Sequence, residues 1–101
     1  MRVITGTARG RVLRTLEGED VRPTTDRVKE AVFSIIQFEI EGRRVLDLFA
    51  GSGQLGIEAL SRGAASATFV DMSKDSLSAV KYNLEHTKLG DNAKVIQTDA
   101  L

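Results

Sequence analysis

The spacing of apolar residues changes period several times along this 101-residue chain, and each change marks an element. Between Arg2 and Leu16, short β-branched stretches are punctuated by Gly6 and Gly10, which predicts a β-hairpin or extended arm; an acidic turn follows over Glu17 to Asp20. After Pro23, Thr24 or Thr25 can cap a helix with Asp26 in its first turn. Val28, Ala31, Val32, Ile35 and Ile36 then recur at helical spacing as one apolar face, with Phe33 off its centre. The run from Arg44 to Phe49 reads as a strand feeding a helix over Leu55 to Arg62, which Gly63 closes. Ala67 to Asp71 reads as a second strand. Ser73 caps the next helix, whose buried side carries Leu77, Val80 and Leu84 and whose first turn holds Asp75. Lys94 to Thr98 is a third strand, ending at Asp99.

Strand, helix, strand, helix, strand is half of a doubly wound sheet, so the fold class is α/β with three parallel strands behind an N-terminal hairpin or arm. In the usual order 3-2-1-4-5 the strand carrying Asp47 lies in the middle. With only three strands its outer edge has no pairing partner, and the expectation is a truncated sheet, or one whose edge is covered by a second copy or by the arm.

Composition changes this picture little. A 42% apolar content suits an ordinary soluble domain, and the formal charge is zero. The charge is unevenly placed, however: Arg2, Arg9, Arg11 and Arg14 all precede the first acid and make a basic arm, which fits either a solvated terminus or contact with nucleic acid. No cysteine is present, so there is neither a disulfide framework nor a thiolate metal site, in keeping with a reducing compartment. The sequence shows no apolar run of about 18 residues and no secretory pattern, which makes the cytoplasm the expected location, without a membrane partner. His86, the one histidine, reads as a surface helix residue rather than a metal ligand, and Tyr82 and Asn83 as helix packing and a polar contact.

The candidate chemistry sits where the first strand meets its helix. Gly51, Gly53 and Gly56 spell G-x-G-x-x-G, the spacing with which dinucleotide-binding folds bring a pyrophosphate to a helix amino end. Asp47 stands just ahead of that turn. Two unit charges about 4 Å apart cost roughly 4 kcal/mol at an effective dielectric of about 20, so an acid here repels a diphosphate and disfavours an oxidoreductase using NAD or FAD. A phosphate-free cation suits the turn better, and S-adenosylmethionine carries a sulfonium and an ammonium. Asp71, twenty residues after Gly51, stands where an acid can bind ribose hydroxyls, although capping the helix after it is the plainer role. Met72 beside it can pack on an adenine ring, or simply serve the core.

Asp47-Leu48-Phe49-Ala50-Gly51-Ser52-Gly53 resembles the first motif of class I methyltransferases. Together with Arg22 to Phe33 (Arg-Pro-Thr-Thr-Asp-Arg-Val-Lys-Glu-Ala-Val-Phe) and Gly56 to Ala64, it makes essentially the whole chain similar to the bacterial 16S rRNA guanine-N2 methyltransferase family. The resemblance implies a Rossmann-like class I methyltransferase fold, with an arm over residues 1–22 and the first half of the S-adenosylmethionine-binding domain over residues 23–101. It implies that Asp47 receives the methionine ammonium, that Phe49, Ala50, Gly51, Ser52 and Gly53 form the loop against the cofactor, that Asp71 and Met72 serve ribose and adenine, and that Asp99 takes the adenine amine. Arg9, Arg11, Arg22, Thr24, Thr25 and Arg27, with Lys29, become the candidate surface for ribosomal RNA or the small ribosomal subunit, the cations on phosphates and Thr24 and Thr25 donating to the target base or to the cofactor; Glu30 is left as helix surface or a partner of Arg27. The family's acceptor-side motif, an Asp or Asn followed by two prolines and an aromatic residue, is absent, since Pro23 is the sole proline. No catalytic residue is therefore assigned, and a non-catalytic cofactor- or RNA-binding fragment is the alternative to an enzyme that flips a guanine toward the methyl donor.

Overall fold

A computed structural model describes residues 2–15, 23–48 and 50–98. Its elements are α1 (Pro23–Ile36), β1 (Arg44–Leu48), α2 (Gln54–Ser61), β2 (Ser66–Asp71), α3 (Lys74–Thr87), a 3-10 turn (Gly90–Asn92) and β3 (Ala93–Gln97). The strands form one parallel sheet in the order β1-β2-β3, with Val45 opposite Ala67 and Ala67 opposite Ala93. The expected α/β half-sheet is thus present, its strands within a residue or so of the predicted bounds. β1 lies at the edge, and among the described residues no strand pairs with its outer side. Leu46 and Leu48 stand exposed there.

The core lies between sheet and helices, where Ile57, Phe69, Val80 and Leu84 are buried. α3 is started by Ser73, whose Oγ accepts the Ser76 N–H at 3.3 Å. α2 begins after Gly53, which holds a left-handed φ of 83° that other residues adopt only with strain. Its last turn is capped by Arg62, with Gly63 following in the left-handed region.

α1 departs from expectation. It starts at Pro23, which suits the first helical position, but Val32 and Ile35 are exposed, as is Ala31. Of the expected face, Ile36 packs partly against the core and the side chain of Val28 lies outside the described residues, while among the described side chains the buried ones are Lys29 and Phe33. The cause lies outside the helix. Glu58, wholly buried on α2, pairs with the Lys29 ammonium at 3.4 Å, and the Arg62 guanidinium lies 4.6 Å from the centre of the Phe33 ring. A buried carboxylate requires a partner, and that requirement turns the helix.

The arm forms a single antiparallel bridge between Arg2 and Val12 rather than a regular two-stranded hairpin. Ile4 and Thr5 donate their N–H groups to the Glu58 carboxylate at 2.8 and 3.0 Å, so that part of the arm bonds α2 instead of its own return strand. Ser61 adds two further ties, accepting from the Ala8 N–H and donating to the Thr5 carbonyl. No helix among the described residues is long and apolar enough to cross a membrane.

Candidate functional site

Two acids lie at the carboxyl edge of adjacent strands, the side on which open α/β sheets bind ligands. Asp47 lies on β1 and Asp71 closes β2. Between them the loop from β1 to α2 is tied down at three points. The Ala50 N–H donates to the Val70 carbonyl at 3.1 Å, the Gly51 N–H to Asp71 Oδ2 at 3.1 Å, and Asn83 Nδ2 to the Ser52 carbonyl at 2.9 Å. Asp71 also accepts from the Ser73 N–H at 2.9 Å, so it orders both the loop and the start of α3.

Asp47 is buried, and its Oδ2 accepts the Gly56 N–H at 3.2 Å. Burial pushes its carboxyl up to about 6; the Gly56 hydrogen bond works against that rise and the nearby Asp71 charge adds to it. An acid held this way carries part of a proton near neutrality and gains from a cation placed beside it. It also occupies the amino end of α2, where a dinucleotide fold would seat its pyrophosphate. Gly56 itself serves packing: a Cβ there would lie 2.3 Å from Phe69 Cε1.

S-adenosylmethionine fits this donor set. The two acids match an ammonium and a ribose, and Gln54 Oε1, at the first residue of α2, is a buried acceptor without a partner among the described residues. Met72 is 62% exposed next to Asp71, outside the core and able to cover a flat ring. Ala50 and Ser52 are buried in the loop, and Gly51 and Gly53 both take positive φ.

A family model described as conserved hypothetical protein 95 matches residues 1–101. The chain belongs to this family. Ribosomal RNA small subunit methyltransferase D of Escherichia coli K12 is 44% identical over 101 residues, 100% of this chain and 50% of that protein. The protein of the same name in Haemophilus influenzae is 44% identical over 102 residues, 100% of this chain and 53% of its own length. A solved Escherichia coli structure, provisionally named methyltransferase yhhF, superposes with a TM-score of 0.88 at 44% identity, covering 99% of this chain and 54% of that one. A solved hypothetical protein of Thermus thermophilus gives 0.84 at 34% identity, with 99% and 56% covered. The fold is that of the class I methyltransferases, and the chain spans about half the length of the relatives it matches.

Within this family member the structure places the remaining candidates unevenly. Arg9 and Arg11 are exposed on the arm and Arg27 on α1. Lys29 is 2% exposed, donates to the Arg2 carbonyl at 3.0 Å and pairs with Glu58, so it is a structural cation and does not face RNA phosphates. Phe49, Asp99 and Arg22 lie outside the described residues, as do the side chains of Thr24 and Thr25. Glu30 and His86 are exposed, and the His86 ring stacks on Tyr82 with centroids 6.0 Å apart.

Sequence reasoning missed the weight of Glu58, Asn83 and Gln54. Glu58 had a signal, a lone acid inside Leu55-Gly-Ile-Glu-Ala-Leu, four residues before Arg62 and bonded to it at 2.9 Å. Asn83 reads as a polar contact, but nothing in the sequence named its partners, because they are backbone groups.

Proposed function

We propose that this chain is the cofactor-binding half of an S-adenosylmethionine-dependent methyltransferase acting on small-subunit ribosomal RNA in the cytoplasm, with a guanine N2 as acceptor. The observation that carries the reading is Asp47, a buried carboxylate seated on the amino end of α2. It disfavours diphosphates there and favours a cation. S-adenosylmethionine, when bound, supplies an electrophilic sulfonium methyl group. Asp47 takes the ammonium, Asp71 the ribose hydroxyls and Met72 a face of the adenine; Phe49 completes the loop of Ala50, Gly51, Ser52 and Gly53, and Asp99 takes the adenine amine.

On the RNA side, residues 1–22 act as the arm, with Arg9, Arg11 and Arg22 on phosphates. Arg27, Thr24 and Thr25 extend that surface at the start of the sheet domain, which runs over residues 23–101. The names of the rRNA methyltransferase relatives support this substrate class. The 101 residues hold no Asp/Asn-Pro-Pro-aromatic motif, so they position the methyl donor without a group to accept the amine proton, and alone they turn over no substrate. The open β1 edge, with Leu46 and Leu48 exposed, supports self-association of this chain, which sedimentation measures directly.

Calorimetry on Asp47→Ala and Asp71→Ala tests the cofactor assignment. Both variants lose S-adenosylmethionine affinity by tenfold or more on this reading, and unchanged affinity in both refutes it. A thermal-shift panel in which NAD stabilises the protein and S-adenosylmethionine does not points instead to an oxidoreductase.

A further inference from the structure

Asn83 is fully buried on α3, and its carboxamide is shared between two segments far apart in the chain. Nδ2 donates to the Ser52 carbonyl and to the Arg14 carbonyl, both at 2.9 Å, while Oδ1 accepts the Arg14 N–H at 2.7 Å. Both backbone groups of Arg14 are used, so toward the arm Asn83 behaves as a neighbouring strand would. The third bond falls on the loop between β1 and α2. That loop is also held by the bonds from Ala50 and Gly51 to the end of β2 and by the Gly53 N–H on the Ala50 carbonyl, but the bond from Asn83 is the one that links it to the arm.

Asn is a modest helix former, and a buried carboxamide is costly unless its bonds are made. Here three are made at good length, and the amide plane fixes the directions of all three at once. The two Nδ2 hydrogens diverge by about 120° in a planar amide, so a shift at one carbonyl weakens the bond at the other unless both segments move together.

We infer that Asn83 is a positioning residue for the cofactor loop and that the arm is its anchor. Arg14 holds the carboxamide and the carboxamide holds the Ser52 carbonyl, so the arm supports cofactor binding without touching the cofactor. The inference rests on the S-adenosylmethionine reading of the loop and extends it to residues outside the binding surface.

Three variants decide it. Asn83→Asp keeps an acceptor for the Arg14 N–H but loses both donated bonds. Arg14→Pro removes the N–H that Oδ1 accepts and leaves every loop residue intact. Ile40→Ala trims a buried side chain that makes none of these bonds, and controls for a general loss of stability. Two readouts are compared, amide hydrogen exchange at Gly51 and Gly53 in the free protein and the S-adenosylmethionine dissociation constant. In Asn83→Asp and Arg14→Pro the loop amides exchange at least tenfold faster and the dissociation constant rises at least tenfold, while Ile40→Ala keeps wild-type values for both. Wild-type loop exchange in Arg14→Pro, or equal loosening in Ile40→Ala, overturns the inference. If Asn83→Asp does not fold, the other two variants still decide. A wild-type protein without affinity for S-adenosylmethionine refutes the cofactor reading alone, because loop exchange in Arg14→Pro judges Asn83 without any ligand.

Discussion

Asp47 Oδ2 accepts the backbone N–H of Gly56 at 3.2 Å, so a single carboxylate on β1 also closes the amino end of α2. The bond offsets only part of what burial costs, since the carboxyl still rises to about 6. In the unfolded chain the same group titrates near its ordinary value of 3.8. The free protein therefore maintains this acid against its own stability.

Replacing the acid with its neutral amide should stabilise the protein. A rise of about two units corresponds to roughly 3 kcal/mol of penalty on the charged form. Because the folded value is the higher one, the contribution is most favourable below pH 4 and is lost as pH climbs through about 6. Asn at position 47 keeps an oxygen for the Gly56 N–H and has no charge to bury. Urea unfolding at pH 7 should show Asp47→Asn more stable than wild type by about 1–3 kcal/mol, with the fall in stability between pH 4 and 6 reduced.

Ligand binding should follow the same titration with the opposite sense. A cation placed against Asp47 favours the ionised form, so S-adenosylmethionine affinity should decline by about tenfold per pH unit below about 6 and level off above it. Binding just below that pH should release a proton. Calorimetry in two buffers of different ionisation enthalpy measures that proton, and Asp47→Asn should abolish both the release and most of the affinity.

The place of Asp47 ahead of Gly51 and Gly53 was legible, because strand, turn and helix there are decided by neighbours in sequence; its burial, its bond from the Gly56 N–H and the raised carboxyl were not, because they depend on packing. The three strands and α3 were legible from sequence neighbours as well. The buried face of α1 was not: its apolar spacing favoured Val32 and Ile35, whereas Glu58, some thirty residues away, draws in Lys29 and leaves Ile35 82% exposed. Local periodicity carries no information about a charge on another helix. Asn83 reads as a polar contact and is one, but its partners were equally hidden, since the carbonyls and the N–H that it binds belong to backbone that any residue could supply.

Gly56 offers a purely steric test. A methyl group at this position would meet Phe69 Cε1 and Cζ at 2.3 and 2.7 Å, and Phe69 is itself fully buried. Gly56→Ala should cost about 1–3 kcal/mol by overpacking, despite the better helix propensity of alanine. Trimming the ring should relieve it: in the double variant with Phe69→Leu, the cost of the alanine should shrink to less than half its value beside phenylalanine. Thermal unfolding of the four proteins in this cycle gives the coupling directly.

The Lys29–Glu58 pair should be asymmetric. Glu58 accepts from Ile4, Thr5 and Arg62 and faces the Lys29 ammonium, so its removal strands a buried cation and frees the arm together. Glu58→Ala should cost about 3–5 kcal/mol, the range for breaking a buried pair. Lys29→Met leaves the carboxylate with Arg62 and two backbone donors, and replaces the ammonium with an apolar chain of similar length. It should cost clearly less, on the order of 1–2 kcal/mol, because Arg62 and the Ile4 and Thr5 N–H groups still compensate the Glu58 carboxylate, so no buried charge is left unpaired. Urea unfolding ranks the two variants. Limited proteolysis between Thr5 and Arg14 should separate them further, with the arm cut readily in Glu58→Ala and protected in Lys29→Met. Equal destabilisation of the two would mean that the charge pair itself, rather than the carboxylate's hold on the arm, anchors α1 to α2.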